Sequence, residues 1–365
     1  MRVGIVTVHD SSNMGSYLQA LGIQEIIKLH GDTPYFIKTR SRFSTLCLFL
    51  GYNNAKPVRS IKSFARFCLG SLKHIQSTKK SYDKYRTYKK DWQCYDTVVS
   101  VKKANKMNLD CILIGSDELW NIQKPAFQNP YLYGIGLKAK KKLGYAISVG
   151  GATKEELLPF ENLREGIREL DGILCRDDHT IKMLQEFGIE SSAKIADPTI
   201  QFDIRKYMKA ATEVKLPNEP YIGVYSYNID NTTKEWIKRF AKENGLKIAA
   251  ISLPIDWADE FINCSPLEFG VALGKASYIY TNTFHGTIFS SLYHTRFVSL
   301  AELPKIKDVL DLLGLADHAL PENADYETFS KMLKRDYDFS TMEENIRCWR
   351  DKSSDLYEQS VKQGD

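Results

Sequence analysis

Val3-Gly4-Ile5-Val6-Thr7-Val8 leads into His9-Asp10-Ser11-Ser12-Asn13-Met14-Gly15-Ser16, and beyond it Leu18, Ile23, Ile26, Ile27 and Leu29 recur as far as Gly31. The first run is apolar and rich in β-branched residues with no polar alternation, the pattern of a strand covered on both faces in a parallel sheet. The last stretch reads as a helix. Its apolar residues spread over a wide arc, Gln24, Glu25 and Lys28 take the other side, and Gly31 is placed to end it. Strand, polar turn and helix make an opening βα unit.

The alternation continues outward. Strands are predicted at Tyr35-Phe36-Ile37, Cys111 to Ile114, Leu143 to Ile147 and Gly172 to Cys175, with helices near Lys154 to Glu169 and His179 to Phe187. Asp197-Pro198 closes a short strand, and the polar stretch Asp203 to Pro220, with Pro217 and Pro220, reads as a connection between domains. A second alternation follows. Its strands are Ile222 to Tyr227, Lys247 to Ile251, Tyr278 to Thr281 and Phe297 to Leu300, separated by helices near Thr232 to Asn244, Pro266 to Lys275, Gly286 to Tyr293 and Ile306 to Leu313. The reading is therefore α/β, with two doubly wound parallel-sheet domains. We place an N-terminal domain at 1–202, a linker at 203–220, a C-terminal domain at 221–320 and a helical tail at 321–365.

Bulk properties narrow the function classes. The chain has 365 residues, 43% of them hydrophobic, enough for two cores. Seven cysteines are odd in number, scattered and without a Cys-x-x-Cys pair, so neither a disulfide framework nor a metal site is expected. That usage and the absence of a leader pattern point to the cytoplasm. The longest apolar candidate for insertion, Leu46 to Leu50, is far short of the roughly 20 residues that span a bilayer, so membrane contact is at most peripheral. A net charge of +5 requires no nucleic-acid partner. It is concentrated, however, between Lys56 and Lys90, where Lys56, Arg59, Lys62, Arg66, Lys73, Lys79, Lys80, Lys84, Arg86, Lys89 and Lys90 face only Asp83. The interval Arg40 to Lys90 reads as basic helices with aromatic residues interleaved.

Four constellations stand at strand ends, where open α/β sheets bind ligands. The turn through Asn13, Gly15 and Ser16 either offers backbone N–H groups to an anion or caps its helix. In Gly115-Ser116-Asp117-Glu118-Leu119-Trp120-Asn121, Asp117 suits an acceptor hydroxyl and Trp120 suits stacking on a sugar. The alternatives are a helix cap and a core ring. In Cys175-Arg176-Asp177-Asp178, Arg176 either clamps a carboxylate or phosphate or pairs with a neighbouring acid. Thr281-Asn282-Thr283-Phe284-His285-Gly286-Thr287 sets a histidine at a helix start, where it serves proton transfer or holds the loop.

Together these residues resemble the polysaccharide pyruvyltransferase family. Its N-x-G-x-x-L-Q element is matched by Asn13 to Gln19, its G-S-D-x-x-W element by Gly115 to Trp120, and its Arg-acid pair by Arg176-Asp177. Its Asp-Pro turn is matched by Asp197-Pro198 and its T-D-S-F-H-G element by Thr281 to Gly286, all in family order from Val3 to about Leu300. Two positions depart: Asn282 stands where Asp is usual and Thr283 where Ser is usual, and some members carry an arginine at the position of Thr283.

The resemblance implies a GT-B-like two-domain architecture with an interdomain cleft and no organic cofactor. Phosphoenolpyruvate would donate a pyruvyl group to a glycan or exopolysaccharide precursor, free or lipid-linked, forming a ketal. His285 would be the general acid, and Asp117 would orient the acceptor. Asn13, Gly15, Ser16, Ser116, Trp120, Arg176, Thr283, Phe284 and Gly286 would bind substrate. The setting would be cytoplasmic, extending to the inner membrane face if the basic segment meets a lipid-linked acceptor. A nucleotide-sugar glycosyltransferase and a non-catalytic glycan-binding relative are the competing readings.

Overall fold

A computed structural model of the protein describes residues 1–11, 13–40, 75–191, 193–208 and 214–362. Leu46 to Leu50 and the bases from Lys56 to Lys73 lie outside them. Within the basic segment the structure describes the helix Ile75–Asp91.

Met1–Phe202 and Lys352–Asp365 form one compact unit, and Asp203–Asp351 form the other. The first is built on seven strands: β1 (Arg2–Val6), β2 (Thr33–Lys38), β3 (Val98–Ser100), β4 (Cys111–Ile114), β5 (Lys141–Ile147), β6 (Gly172–Cys175) and β7 (Ala193–Lys194). Their spatial order is β3-β2-β1-β4-β5-β6-β7, and every adjacent pair is parallel. The unbroken apolar runs are central for the expected reason. Val3, Ile5, Val6 and all of Cys111–Ile114 are buried, because helices cover both sheet faces.

The helix Met14–Leu29 is buried almost all round, so even Gln19 and Gln24 are inside. Gly22 allows a close approach on one side: a Cβ there would lie 2.8 Å from the carbonyl oxygen of Pro198, in the short helix Pro198–Gln201. The helix foreseen from Lys154 to Glu169 is two pieces, Lys154–Leu157 and Glu161–Arg168, separated around Pro159, whose ring cannot continue a helix.

The second unit carries β8 (Tyr221–Tyr225), β9 (Lys247–Ile251), β10 (Glu260–Ile262), β11 (Tyr278–Thr281) and β12 (Phe297–Ser299), all parallel in the order β10-β9-β8-β11-β12. One face packs Ile222, Val224, Tyr280 and Val298 against Ile237, Phe240, Phe329 and Leu333. The other includes Tyr225, Phe269 and Phe289, whose rings meet edge to face at 4.7 and 5.6 Å.

The boundaries differ from the sequence division in two places. The stretch 203–220 contributes the helix Arg205–Met208 to the second unit, because Met208 is buried and Arg205 bonds the Leu292 carbonyl at 2.9 Å. The stretch 321–365 is shared out. Helix Tyr326–Lys334 packs into the second core through Phe329 and Leu333, whereas Lys352–Asp365 belongs to the first unit, where Tyr357 is buried and donates to Asp32 Oδ2 at 3.1 Å. No described helix is long and apolar enough to cross a membrane.

Candidate functional site

In each sheet the strand order reverses beside the first strand, between β1 and β4 and between β8 and β11. Crevices outside the carboxyl ends of such strands are where doubly wound sheets bind ligands. The Asn13 and Gly115 motifs fall at the first reversal, and the Thr281 motif falls at the second.

At the first reversal a buried polar network ties the loops together. Gln19 Nε2 donates to Thr7 Oγ1 at 2.9 Å and to the Ser16 carbonyl at 2.8 Å, and Gln19 Oε1 accepts from Ser116 Oγ. Ser16 Oγ donates to Asp117 Oδ2 at 2.5 Å, while Asp117 Oδ1 accepts the Glu118 N–H at 2.8 Å. Asp117 is half-buried and has φ +79°, a conformation non-glycine residues seldom adopt and one that persists where the surroundings enforce it. Here the Ser148 N–H donates to the Asp117 carbonyl at 3.1 Å and fixes it beside β5. The network therefore holds the Asp117 carboxylate in place.

Several predicted contacts have structural employment instead. Asn13 is the helix N-cap, and its Oδ1 accepts from Gly15 N at 2.9 Å and Ser16 N at 3.3 Å, so those two amides are already occupied. The turn is a helix cap. Trp120 is fully buried, donates Nε1 to the Leu132 carbonyl at 2.9 Å and stacks near Tyr133, so it is a core ring with no face for a sugar. The Ser116 hydroxyl is spent inside the network. Arg176 is 4% exposed and its Nη1 lies 3.0 Å from Asp197 Oδ2, a wholly buried ion pair. Asp177 caps the next helix through Thr180 N at 2.8 Å and Thr180 Oγ1 at 2.6 Å.

At the second reversal the Thr281 motif is knitted to β8. Thr281 Oγ1 donates to the Tyr225 carbonyl at 2.7 Å. The next residue holds the Tyr227 backbone on both sides of its Cα: the Tyr227 N–H donates to Asn282 Oδ1 at 2.9 Å, and Asn282 Nδ2 donates to the Tyr227 carbonyl. Thr283 caps the helix Phe284–Leu292 by accepting from Gly286 N at 3.0 Å. Phe284 is buried, with Lys305 Nζ 5.9 Å from its ring centre. His285 sits in the first turn of this helix, largely buried, its ring edge-on to Phe284 at 5.1 Å. Thr283, Phe284 and Gly286 thus build the frame around His285.

Sequence reasoning assigned no role to Gln19 or Tyr227. Gln19 had a signal in its place within the N-x-G-x-x-L-Q element, and a polar side chain on an otherwise apolar helix face is a candidate network member. Another histidine, His9, lies in the first motif, packed against Phe36 and Tyr95. Burial pushes its pKa below the ordinary value, against the pull of Asp10. Among the described residues no group of three or more His, Cys, Asp or Glu side chains is placed to hold a metal.

Two parallel sheets flanked by helices, with polar motifs at their carboxyl ends, define a two-domain α/β protein. The chain belongs to the polysaccharide pyruvyl transferase family, whose model matches residues 13–303. It is accordingly a transferase acting on polysaccharide. Among solved structures it is similar to a putative UDP-N-acetylglucosamine 2-epimerase from Listeria monocytogenes, with TM-score 0.57 and 8% identity over 100% of this chain and 97% of that one. It is also similar to the UDP-GlcNAc 2-epimerase from Neisseria meningitidis, with TM-score 0.52 and 11% identity over 100% of both chains. At these identities the likeness shows the fold alone. No curated protein matches the sequence.

Proposed function

We propose that the protein transfers a pyruvyl group from phosphoenolpyruvate to two hydroxyls of a glycan, forming a cyclic ketal and releasing phosphate. The observation that carries this reading is the place of His285, in the first turn of a helix at a strand-order reversal, within a chain whose residues 13–303 match the family. His285 protonates the donor's methylene carbon, which becomes a methyl group and leaves an oxocarbenium-like centre at C2. One sugar hydroxyl adds to C2 and a neighbouring hydroxyl closes the ring as the C2–O bond to phosphate breaks. Of the two hydroxyl protons released, one balances the proton given to the methyl group and the other leaves on phosphate.

Asp117 is the proposed acceptor-orienting carboxylate. Its hydrogen bonds from Ser16 and the Glu118 amide hold it in one position, as pre-organised catalysis requires. Positive charge for the donor's anionic groups falls to Lys305 and to the amino end of helix Phe284–Leu292. The donor is a cytoplasmic metabolite, which sets the reaction in the cytoplasm.

The test is phosphate release from phosphoenolpyruvate across a panel of glycans, read together with the ketal carbon of the product by NMR. Glycan-dependent release is expected, and His285→Gln should lower turnover about 10²–10⁴-fold with donor affinity changed far less. Consumption of a nucleotide sugar with no phosphate released from phosphoenolpyruvate would overturn the reading.

A further inference from the structure

With Trp120 in the core, no assigned residue offers a ring to the acceptor. The structure holds a different aromatic side chain out at a strand end. Tyr227, two residues past β8, is 48% exposed, whereas Tyr225 on β8, Tyr280 on β11 and Phe284 are all buried. Its backbone is fixed on both sides by Asn282. Ser226 Oγ also donates to the Tyr227 carbonyl at 3.3 Å, and Asn228 turns the chain away with φ +46°. Leu303, 43% exposed, follows β12 on the other side of β11, so the segment bearing His285 has an apolar side chain on either flank.

We infer that Tyr227 is a stacking contact for a sugar ring of the acceptor and that Asn282 is the residue that positions it, an inference resting on the proposed transfer to a glycan. A pyranose presents an apolar face of C–H groups and an edge of hydroxyls. A tyrosine ring with its own polar tip at a wet rim matches both. Clamping the backbone presents the ring without the ordering cost that a free loop incurs on binding. The clamp requires one donor and one acceptor on the same side chain, which an amide has and a carboxylate lacks. An aspartate at 282 would set its oxygen against the Tyr227 carbonyl. That is a physical reason for asparagine where the family usually carries aspartate. The clamp also ties the Tyr227 backbone to a residue three positions before His285 in the chain.

The experiment compares Tyr227→Ala, Tyr227→Phe and Asn282→Asp with wild type. Acceptor KM, donor KM and melting temperature are measured, together with saturation-transfer NMR of methyl hexopyranosides and their oligomers without donor. Tyr227→Ala should raise acceptor KM about 3–10-fold and weaken saturation transfer to the glycan, with donor KM and melting temperature near wild type. Tyr227→Phe, which keeps the ring, should lie closer to wild type than the alanine variant, and Asn282→Asp should move acceptor KM in the same direction as alanine. Unchanged glycan saturation transfer in Tyr227→Ala overturns the inference, as does equal loss of donor and acceptor affinity in a destabilised protein, or a wild type that binds no glycan of the panel. If phosphoenolpyruvate proves not to be the donor, the NMR arm still decides: transfer lost in Tyr227→Ala supports the stacking contact while the pyruvyl reading falls.

Discussion

Ser16 and Asp117, 101 positions apart in the chain, meet at the carboxyl ends of the two central strands, with Ser16 Oγ donating to Asp117 Oδ2 at 2.5 Å. The helix that carries Ser16 is pinned to the same place by Gln19, which touches Thr7, the Ser16 carbonyl and Ser116. Position and chemistry are therefore coupled: whatever loosens the helix start also loosens the carboxylate.

Ser16→Ala removes the hydroxyl that donates to Asp117 Oδ2. Such a bond to a charged group is worth about 1.5–3 kcal/mol, so kcat/KM for the acceptor should fall by roughly tenfold or more. Gln19→Leu should act differently. It orphans buried polar groups at about 1–3 kcal/mol each and should lower the unfolding midpoint in urea as well as activity. Loss of stability in the serine variant with acceptor kinetics untouched would remove Asp117 from the acceptor role.

Arg176 and Asp197 make a prediction about stability. The pair is buried on both sides, and Asp197 also accepts from Thr199 N at 3.0 Å and Thr199 Oγ1 at 2.7 Å. Removing one partner leaves the other charge buried without this counter-ion. Arg176→Ala should therefore cost about 3–5 kcal/mol in urea unfolding, and replacing both partners by apolar residues of similar volume should cost less than the sum of the single changes. A loss under about 1 kcal/mol for Arg176→Ala would show that water reaches Asp197.

His318 gives the protein an acid-sensitive core. Its ring is sandwiched between Phe297 at 4.1 Å and Tyr337 at 3.5 Å, with Nδ1 3.0 Å from the Phe297 carbonyl. Burial lowers its pKa from 6.5 to about 4, opposed by the Phe297 carbonyl and Asp317 and assisted by Arg335. The unfolded chain therefore binds a proton between these values that the folded chain refuses. Stability from this group is fully present above about pH 6.5, is lost as pH falls toward 4, and levels off below. The full span is at most about 3 kcal/mol. Urea midpoints of wild type and His318→Phe between pH 4 and 7 should diverge in slope, with the variant flatter. Parallel slopes would contradict the assignment.

The sequence carried the strands that are long and wholly apolar, because burial on both faces leaves no polar alternation to misread; Val3 to Val6 and Cys111 to Ile114 are examples. It did not carry β3 and β10. Val98–Ser100 and Glu260–Ile262 are three residues each at a sheet edge, defined by backbone pairing rather than by any pattern of their own. The motifs could be placed at strand ends from their neighbours alone. Which polar atom would meet which could not. The Gln19–Ser116 and Asn282–Tyr227 contacts join residues 97 and 55 positions apart, and nothing local distinguishes Trp120 as a core ring from Trp120 as a sugar platform until the Leu132 carbonyl is found against its N–H.

Gly286 tests the frame around His285 most directly. Its N–H donates to Thr283 Oγ1, and a Cβ at this position would fall within 2.5 Å of that same oxygen and closer still to Thr281 Oγ1. Both hydroxyls are committed: they share a 2.9 Å contact, and Thr281 Oγ1 also donates to the Tyr225 carbonyl. Neither can retreat without breaking the cap or the tie to β8. Gly286→Ala should thus displace the first turn of the helix, costing about 1–3 kcal/mol of stability from overpacking and lowering kcat by at least tenfold while the second sheet stays folded. Thr283→Ser supplies the control, since it keeps the capping hydroxyl and should retain most of the activity. Circular dichroism with single-turnover kinetics on the two variants reads both effects, and a Gly286→Ala protein with wild-type kcat would mean that the position of His285 does not depend on this frame.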